Sequence, residues 1–160
     1  MVRYLRAYPI AELRCGLTSW PRCLRATVDA DWAGEPQTRR STSAGIVEFG
    51  DAVLASWSRT QGCAALSSAE AEYVAMTTAA QEGLFLAHIL EELGLPTELE
   101  IRNDATAALS AAERAGVTHM KHMELKMSFL KDLVKAKVLR LVKVRTDQNA
   151  ADMGTKAVPG

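Results

Sequence analysis

No stretch of this chain approaches the ~20 consecutive apolar residues that a membrane-crossing helix needs, so no spanning segment is expected. Low-complexity tracts are also missing. With 48% hydrophobic and 24% charged residues the composition is that of a folded globular domain, which argues against disorder. Cysteines are few. Cys15, Cys23 and Cys63 are odd in number and share no C-x-x-C spacing, so they read as reduced thiols of a cytosolic or nuclear protein. Net charge is absent, and no global field draws the chain to nucleic acid. The opening MVRYLRAYPIAELRCGL carries Pro9 and Glu12 in place of a continuous apolar core, so no signal peptide is expected there.

At 160 residues the chain suits one domain, or one domain plus a fragment, and is long enough to bury a proper core. Residues 1–24, with Pro9 and the Trp20-Pro21 turn signal, read as a connector, and the domain is expected over 25–160. Ala26 to Trp32 predicts a first strand. Thr42 to Phe49, the Gly50-Asp51 turn and Ala52 to Ser58 predict a hairpin. Ser67-Ser68-Ala69-Glu70 fits a capping box, with Ser67 as N-cap and Glu70 reaching back to its amide, and opens a helix that ends at Gly94 and Pro96. Gly83 within it is a weak point, costing ~1 kcal/mol relative to Ala. A short strand carrying Leu99 and Ile101 stops near Asp104. Helices follow over Ala105 to Ala115, closed by Gly116, and over His119 to Lys137, whose Met123, Met127, Leu130 and Val134 share a face. Val138 to Val144 predicts the last strand, and Asn149 the cap of a final helix from Ala150.

The expected order β-β-β-α-β-α-α-β-α implies an α/β protein. Its mixed five-stranded sheet would have three antiparallel strands, then two parallel ones reached by right-handed crossovers, with helices packed on it. That topology matters for the acids. Asp29 sits on an apolar strand, where an unpaired carboxylate is costly. Asp104 stands at a strand end, Glu72 early in the long helix and Asp152 at the opening of the last. Parallel strands bring their carboxyl ends to one edge of the sheet, so these four are expected to converge, hold divalent metal and cut a phosphodiester. Nineteen acidic residues also permit a chance quartet.

The combination of motifs narrows the reading. Asp29-Ala30-Asp31-Trp32-Ala33-Gly34, Arg39-Arg40-Ser41-Thr42-Ser43-Ala44-Gly45, Ser56-Trp57-Ser58 and Ala65-Leu66-Ser67-Ser68-Ala69-Glu70-Ala71-Glu72-Tyr73-Val74-Ala75 together resemble the ribonuclease H domain of copia-type LTR retrotransposon Pol polyproteins. The resemblance continues through Asn103-Asp104, Lys121-His122 with Glu124, Ala151-Asp152 and Thr155-Lys156. It implies a ribonuclease H-like fold and an acidic quartet of Asp29, Glu72, Asp104 and Asp152 binding two Mg²⁺ ions, with Mn²⁺ able to substitute. It also implies endonucleolytic hydrolysis of the RNA strand of RNA–DNA hybrids. Arg3-Tyr4-Leu5-Arg6 resembles the tail of the upstream reverse transcriptase region, which would make that domain a partner in the same polyprotein. The implied setting is intracellular, in a cytoplasmic virus-like particle or the nucleus, with no membrane contact. A catalytically inactive remnant that binds nucleic acid or protein is the alternative, and an ordinary α/β protein with surface acids a third.

Several residues carry two readings. Glu70 competes with Glu72 for the helix ligand, but Glu72 lies roughly 200° around the helix and the cap gives Glu70 a structural role, which favours Glu72. Asp31 is either an outer ligand or, by preference, the start of the turn at Gly34. His119 and His122 have an H-x-x-H spacing without further zinc ligands, and hydrogen bonding at a helix entry is the simpler role. Trp20, Trp32 and Trp57 read as packing residues, with Trp32 near the site. Eight Lys or Arg (121, 126, 131, 135, 137, 140, 143, 145) form either a solvated face or a backbone-tracking one. Two departures from the family pattern are Ala105-Thr106 after the third acid and the closing Thr155-Lys156-Ala157-Val158-Pro159-Gly160. No His precedes the last acid, where Thr146-Asp147-Gln148-Asn149 stands. With zero net charge, weak affinity for isolated hybrid is expected.

Overall fold

The computed structural model describes residues 6–7, 21–113 and 121–156, and among the helical residues no side chain is described at 113 or 121–124. Cys15, Trp20, Gly116, His119 and the tail from Ala157, with most of the expected connector, lie outside the described residues, as do the side chains of His122 and Met123.

Five strands form one sheet in the order β3-β2-β1-β4-β5. β1 (Cys23–Asp31), β2 (Thr42–Phe49) and β3 (Ala52–Thr60) run antiparallel in sequence, while β4 (Glu98–Asn103) pairs parallel with β1, and β5 (Leu139–Lys143) parallel with β4. This is the expected mixed sheet. β1 starts earlier than Ala26 because Cys23 already pairs with Glu98 of β4, a partner that lies far along the chain. The hairpin departs from simple alternation. The register shifts after Val47, which faces Ala55, whereas Glu48 faces Val53; Leu54 is the extra residue and is left exposed. Such a bulge twists the strand and breaks the period-two pattern.

Helix α1 (Ser68–Glu92) lies against the sheet. Tyr73, Met76, Ala79 and Ala80 pack with Leu24, Ala26 and Val28 of β1 and Leu99 and Ile101 of β4, the centre of the core. Its start follows the expectation in part: the Ser67 hydroxyl accepts from the Glu70 amide at 3.2 Å, but Glu70 accepts from the Leu66 amide at 2.7 Å, not from that of Ser67. Its end is a Schellman turn, with Gly94 at φ +77° and bonds from Gly94 N to Glu91 O and from Leu95 N to Leu90 O. α2 (Thr106–Glu113) and α3 (Lys121–Lys135) complete the helical layer, where Met127 and Leu130 are buried. The last helix starts later than expected. A 3-10 turn occupies Thr146–Gln148, and α4 spans Asp152–Thr155. Asn149 does not cap a helix from Ala150; its Oδ1 accepts from the Ala151 amide at 3.2 Å while its amide group is drawn to β1.

Candidate metal centre

The parallel pairing of β1 and β4 puts their carboxyl ends side by side. Asp29 lies near the end of β1, and Asp104 directly follows β4. Glu72 reaches them from the first turns of α1. One carboxylate oxygen from each of Asp29, Glu72 and Asp104 lies within 4.8 Å of the others. Asp152 opens α4, a turn that packs against β1 and β2. It stands outside the group of three, yet its charge reaches Asp29.

Burial makes this cluster electrostatically expensive. Asp29 is 8% and Glu72 7% exposed. Burial pushes the Glu72 carboxyl up to about 7; the Asn103 hydrogen bond opposes this, and the charges of Asp29 and Asp104 add to it. The Asp29 carboxyl is raised as well, first by burial and then by Asp104 and Asp152, against the hydrogen bond from Thr155. Neutral donors hold the acids in place. Asn103, fully buried, donates through Nδ2 to Glu72 Oε2 at 2.8 Å and to Val28 O at 3.3 Å, while its Oδ1 accepts from the Ala105 amide at 2.7 Å. Asn149 Nδ2 donates to Val28 O at 3.1 Å and to Asp29 Oδ1 at 3.4 Å. The Thr155 hydroxyl donates to Asp29 Oδ2 at 2.6 Å, and Lys156 Nζ lies 2.5 Å from Asp152 Oδ2. Lys156 is held in its charged form by that bond, with the fields of Asp152, Asp29 and Asp104 acting in the same direction.

Sequence reasoning placed the acids but gave Asn103, Thr155 and Lys156 no task. The available signal was polarity at a buried position: an Asn closing an apolar strand needs partners. Of the paired readings, Glu72 joins the group and Glu70 does not. Asp31 sits over Gly34, where a Cβ would fall 1.5 Å from its Oδ2, as a turn-starting residue would. Trp32 is half exposed and donates from Nε1 to Ala65 O, whereas Trp57 lies across Gly45. Thr106, one of the departures from the family pattern, accepts from Lys143 Nζ at 2.6 Å.

Carboxylate oxygens converging at a partly desolvated site, with the Asp29 and Glu72 carboxyls raised first by burial and further by neighbouring acids, suit a hard divalent cation. No protein-family model matches the chain. Over an alignment of 161 positions that covers 99% of this chain, it is 32% identical to the retrovirus-related Pol polyprotein from transposon TNT 1-94 of Nicotiana tabacum. Over an alignment of 137 positions that covers 83% of this chain, it is 33% identical to that from transposon RE2 of Arabidopsis thaliana. The chain spans only 12% and 9% of these two proteins. Its fold is similar to that of LC11-RNase H1, isolated from compost by a metagenomic approach, with a TM-score of 0.64 at 16% identity over 83% of this chain and 92% of that one. LC11-RNase H1 in complex with RNA/DNA hybrid gives 0.60 at 15% identity, over 81% and 91%. Among the described residues no helix is long and apolar enough to cross a membrane. The homologues of this chain are thus retrovirus-related Pol polyproteins of copia-type plant transposons, and the fold it carries is that of ribonuclease H.

Proposed function

We propose that this domain hydrolyses the RNA strand of RNA–DNA hybrids as the ribonuclease H part of a retrotransposon polyprotein, with residues 1–24 left from the reverse transcriptase region upstream. The observation that carries the reading is the meeting of Asp29, Glu72 and Asp104 within 4.8 Å at the carboxyl ends of two parallel strands. With Asp152 beside them, these residues would hold two Mg²⁺ ions, Mn²⁺ substituting. Ions bound in this way activate water and stabilise the leaving oxygen of a phosphodiester. The chain's own residues prepare the ground for this. Asn103 fixes Glu72 Oε2, the Thr155 hydroxyl fixes Asp29 Oδ2, and the α4 turn carries Asp152 to the rim. The Pol homologues and the hybrid complex of a structural neighbour support the substrate class.

Incubation of the full chain with a hybrid labelled on its RNA strand and Mg²⁺ tests the proposal. Cleavage within the RNA strand is expected. Asp29→Asn or Asp104→Asn should lower it by about a hundredfold or more, the scale seen when a group that stabilises transition-state charge is lost. Hybrid binding without cleavage by the unaltered chain in both Mg²⁺ and Mn²⁺ would overturn it in favour of a non-catalytic binding module.

A further inference from the structure

We propose that Lys156 is a displaceable internal counter-ion: it holds the acid cluster together when no metal is bound and competes with the divalent cation for Asp152, so that it sets the affinity of the centre. This rests on the reading that the cluster binds metal, and it assigns Lys156 a positioning role.

Three carboxylates meet at this rim with Asp152 beside them, and among the described residues Lys156 is the one Lys or Arg in an ion pair with any of the four. Like charges this close repel, and partial burial of two of them weakens solvent screening. Asn103, Asn149 and Thr155 offer hydrogen bonds but no charge. Lys156 supplies the charge, with Nζ at 2.5 Å from Asp152 Oδ2, and the fields of Asp29 and Asp104 also act on it.

The two residues closing α4 divide the work. Thr155 holds Asp29 on β1, and Lys156 holds Asp152 on its own turn. The clamp on β1 is firm: the turn is seated against the sheet through Gly154, whose carbonyl accepts from Ser58 Oγ at 2.6 Å and where a Cβ would come within 2.6 Å of the Ala44 Cβ. The clamp on Asp152 is loose. The Lys156 side chain is 68% exposed, so its ammonium can swing into water without opening the core. A buried lysine would lock the site against cations. An exposed one is released when a divalent ion offers Asp152 a stronger partner.

The test uses the full chain and the variants Lys156→Gln and Lys156→Arg, with Mg²⁺ titrated by calorimetry and followed by NMR. Removal of the competing charge should tighten the Mg²⁺ dissociation constant about three- to tenfold in Lys156→Gln, an effect that shrinks as KCl is raised. Lys156→Arg should stay near the unaltered protein. In EDTA, Lys156→Gln should unfold at a lower temperature than the unaltered chain, and saturating Mg²⁺ should close that gap. In the unaltered protein the Lys156 side-chain signals should shift as Mg²⁺ is added. Equal or weaker Mg²⁺ affinity in folded Lys156→Gln, or Lys156 signals that ignore a metal that binds, would overturn the proposal while leaving the metal centre standing. An unaltered chain that binds no Mg²⁺ would instead remove the metal reading itself.

Discussion

Asn103 decides the geometry of the centre although it is not an acid. Its side chain is enclosed between β1, β4 and α1 and uses both ends: the amide group donates to Glu72 and to the Val28 carbonyl, and the carbonyl receives the Ala105 amide at the start of the loop leading to α2. The Val28 carbonyl has a second donor in Asn149, so it stays paired if Asn103 is lost, whereas the Ala105 amide loses its acceptor and Glu72 keeps only the bond from the Ala30 backbone. Asn103→Ala should therefore cost about 2 kcal/mol of stability, the scale for leaving buried polar groups unpaired, read by urea unfolding. It should also raise the Glu72 carboxyl beyond about 7, because the bond from Asn103 is the strongest influence now lowering it. A ¹³C NMR titration of Glu72 would show this. An unchanged Glu72 titration would mean that burial and the neighbouring acids set its proton affinity without help from Asn103.

Gly83 shows how an element's neighbour can reverse what the element prefers. Taken as part of a helix, it is a defect worth up to ~1 kcal/mol that Ala would repair. In α1 it faces Leu99 of β4, and a Cβ there would meet Leu99 Cδ1 at 2.7 Å and Cδ2 at 3.0 Å. Leu99 is 2% exposed, so its methyl groups would have to shift within a packed core. Overpacking of this kind costs about 1–3 kcal/mol, so Gly83→Ala should destabilise by about 1 kcal/mol net, measured by chemical denaturation. A gain in stability would mean that the helix and sheet can part by a few tenths of an ångström. The same contrast marks what the amino-acid order made legible. The hairpin, the capped helix and the parallel crossovers rest on local chemistry and chirality, and those elements appear where expected. The convergence of Asp29, Glu72 and Asp104 followed from that topology. The bulge at Leu54, the early start of β1 at Cys23 and the tight Gly83–Leu99 contact depend on which distant strand or helix lies opposite, and alternation within one segment carries no trace of that. Asn103 and Thr155 escaped for a related reason: their partners lie 31 and 126 positions away in the chain.

Taken as a whole, the molecule balances 19 basic against 19 acidic residues but spends the balance unevenly. Acids gather at one rim of the sheet, and exposed basic residues follow β5 and the loops at its ends, with Lys137, Arg140, Lys143 and Arg145 on its path. Without a bound cation the rim is therefore a cost charged to the fold, and the cost depends on pH. The Glu72 carboxyl stands at about 7 in the folded protein against an ordinary 4.5, so the folded state binds more protons than the unfolded chain across that interval. The stability associated with Glu72 is complete below pH 4.5, declines as pH rises and is lost above about 7. A difference of this size corresponds to about 3 kcal/mol. Asp29, raised in the same direction, adds to the trend. Unfolding in EDTA, followed by circular dichroism from pH 4.5 to 8, should show this decline beneath the titration of the remaining groups. Glu72→Gln isolates it, because an amide does not titrate: the difference in stability between the unaltered chain and Glu72→Gln should move against the unaltered chain as pH rises through this window. Saturating Mg²⁺ should reverse the sign, since a cation bound to ionised carboxylates stabilises the fold most where those carboxylates are deprotonated. A stability difference independent of pH would mean that Glu72 is solvated well enough to ionise at its ordinary value, and that the rim holds its charges apart without metal.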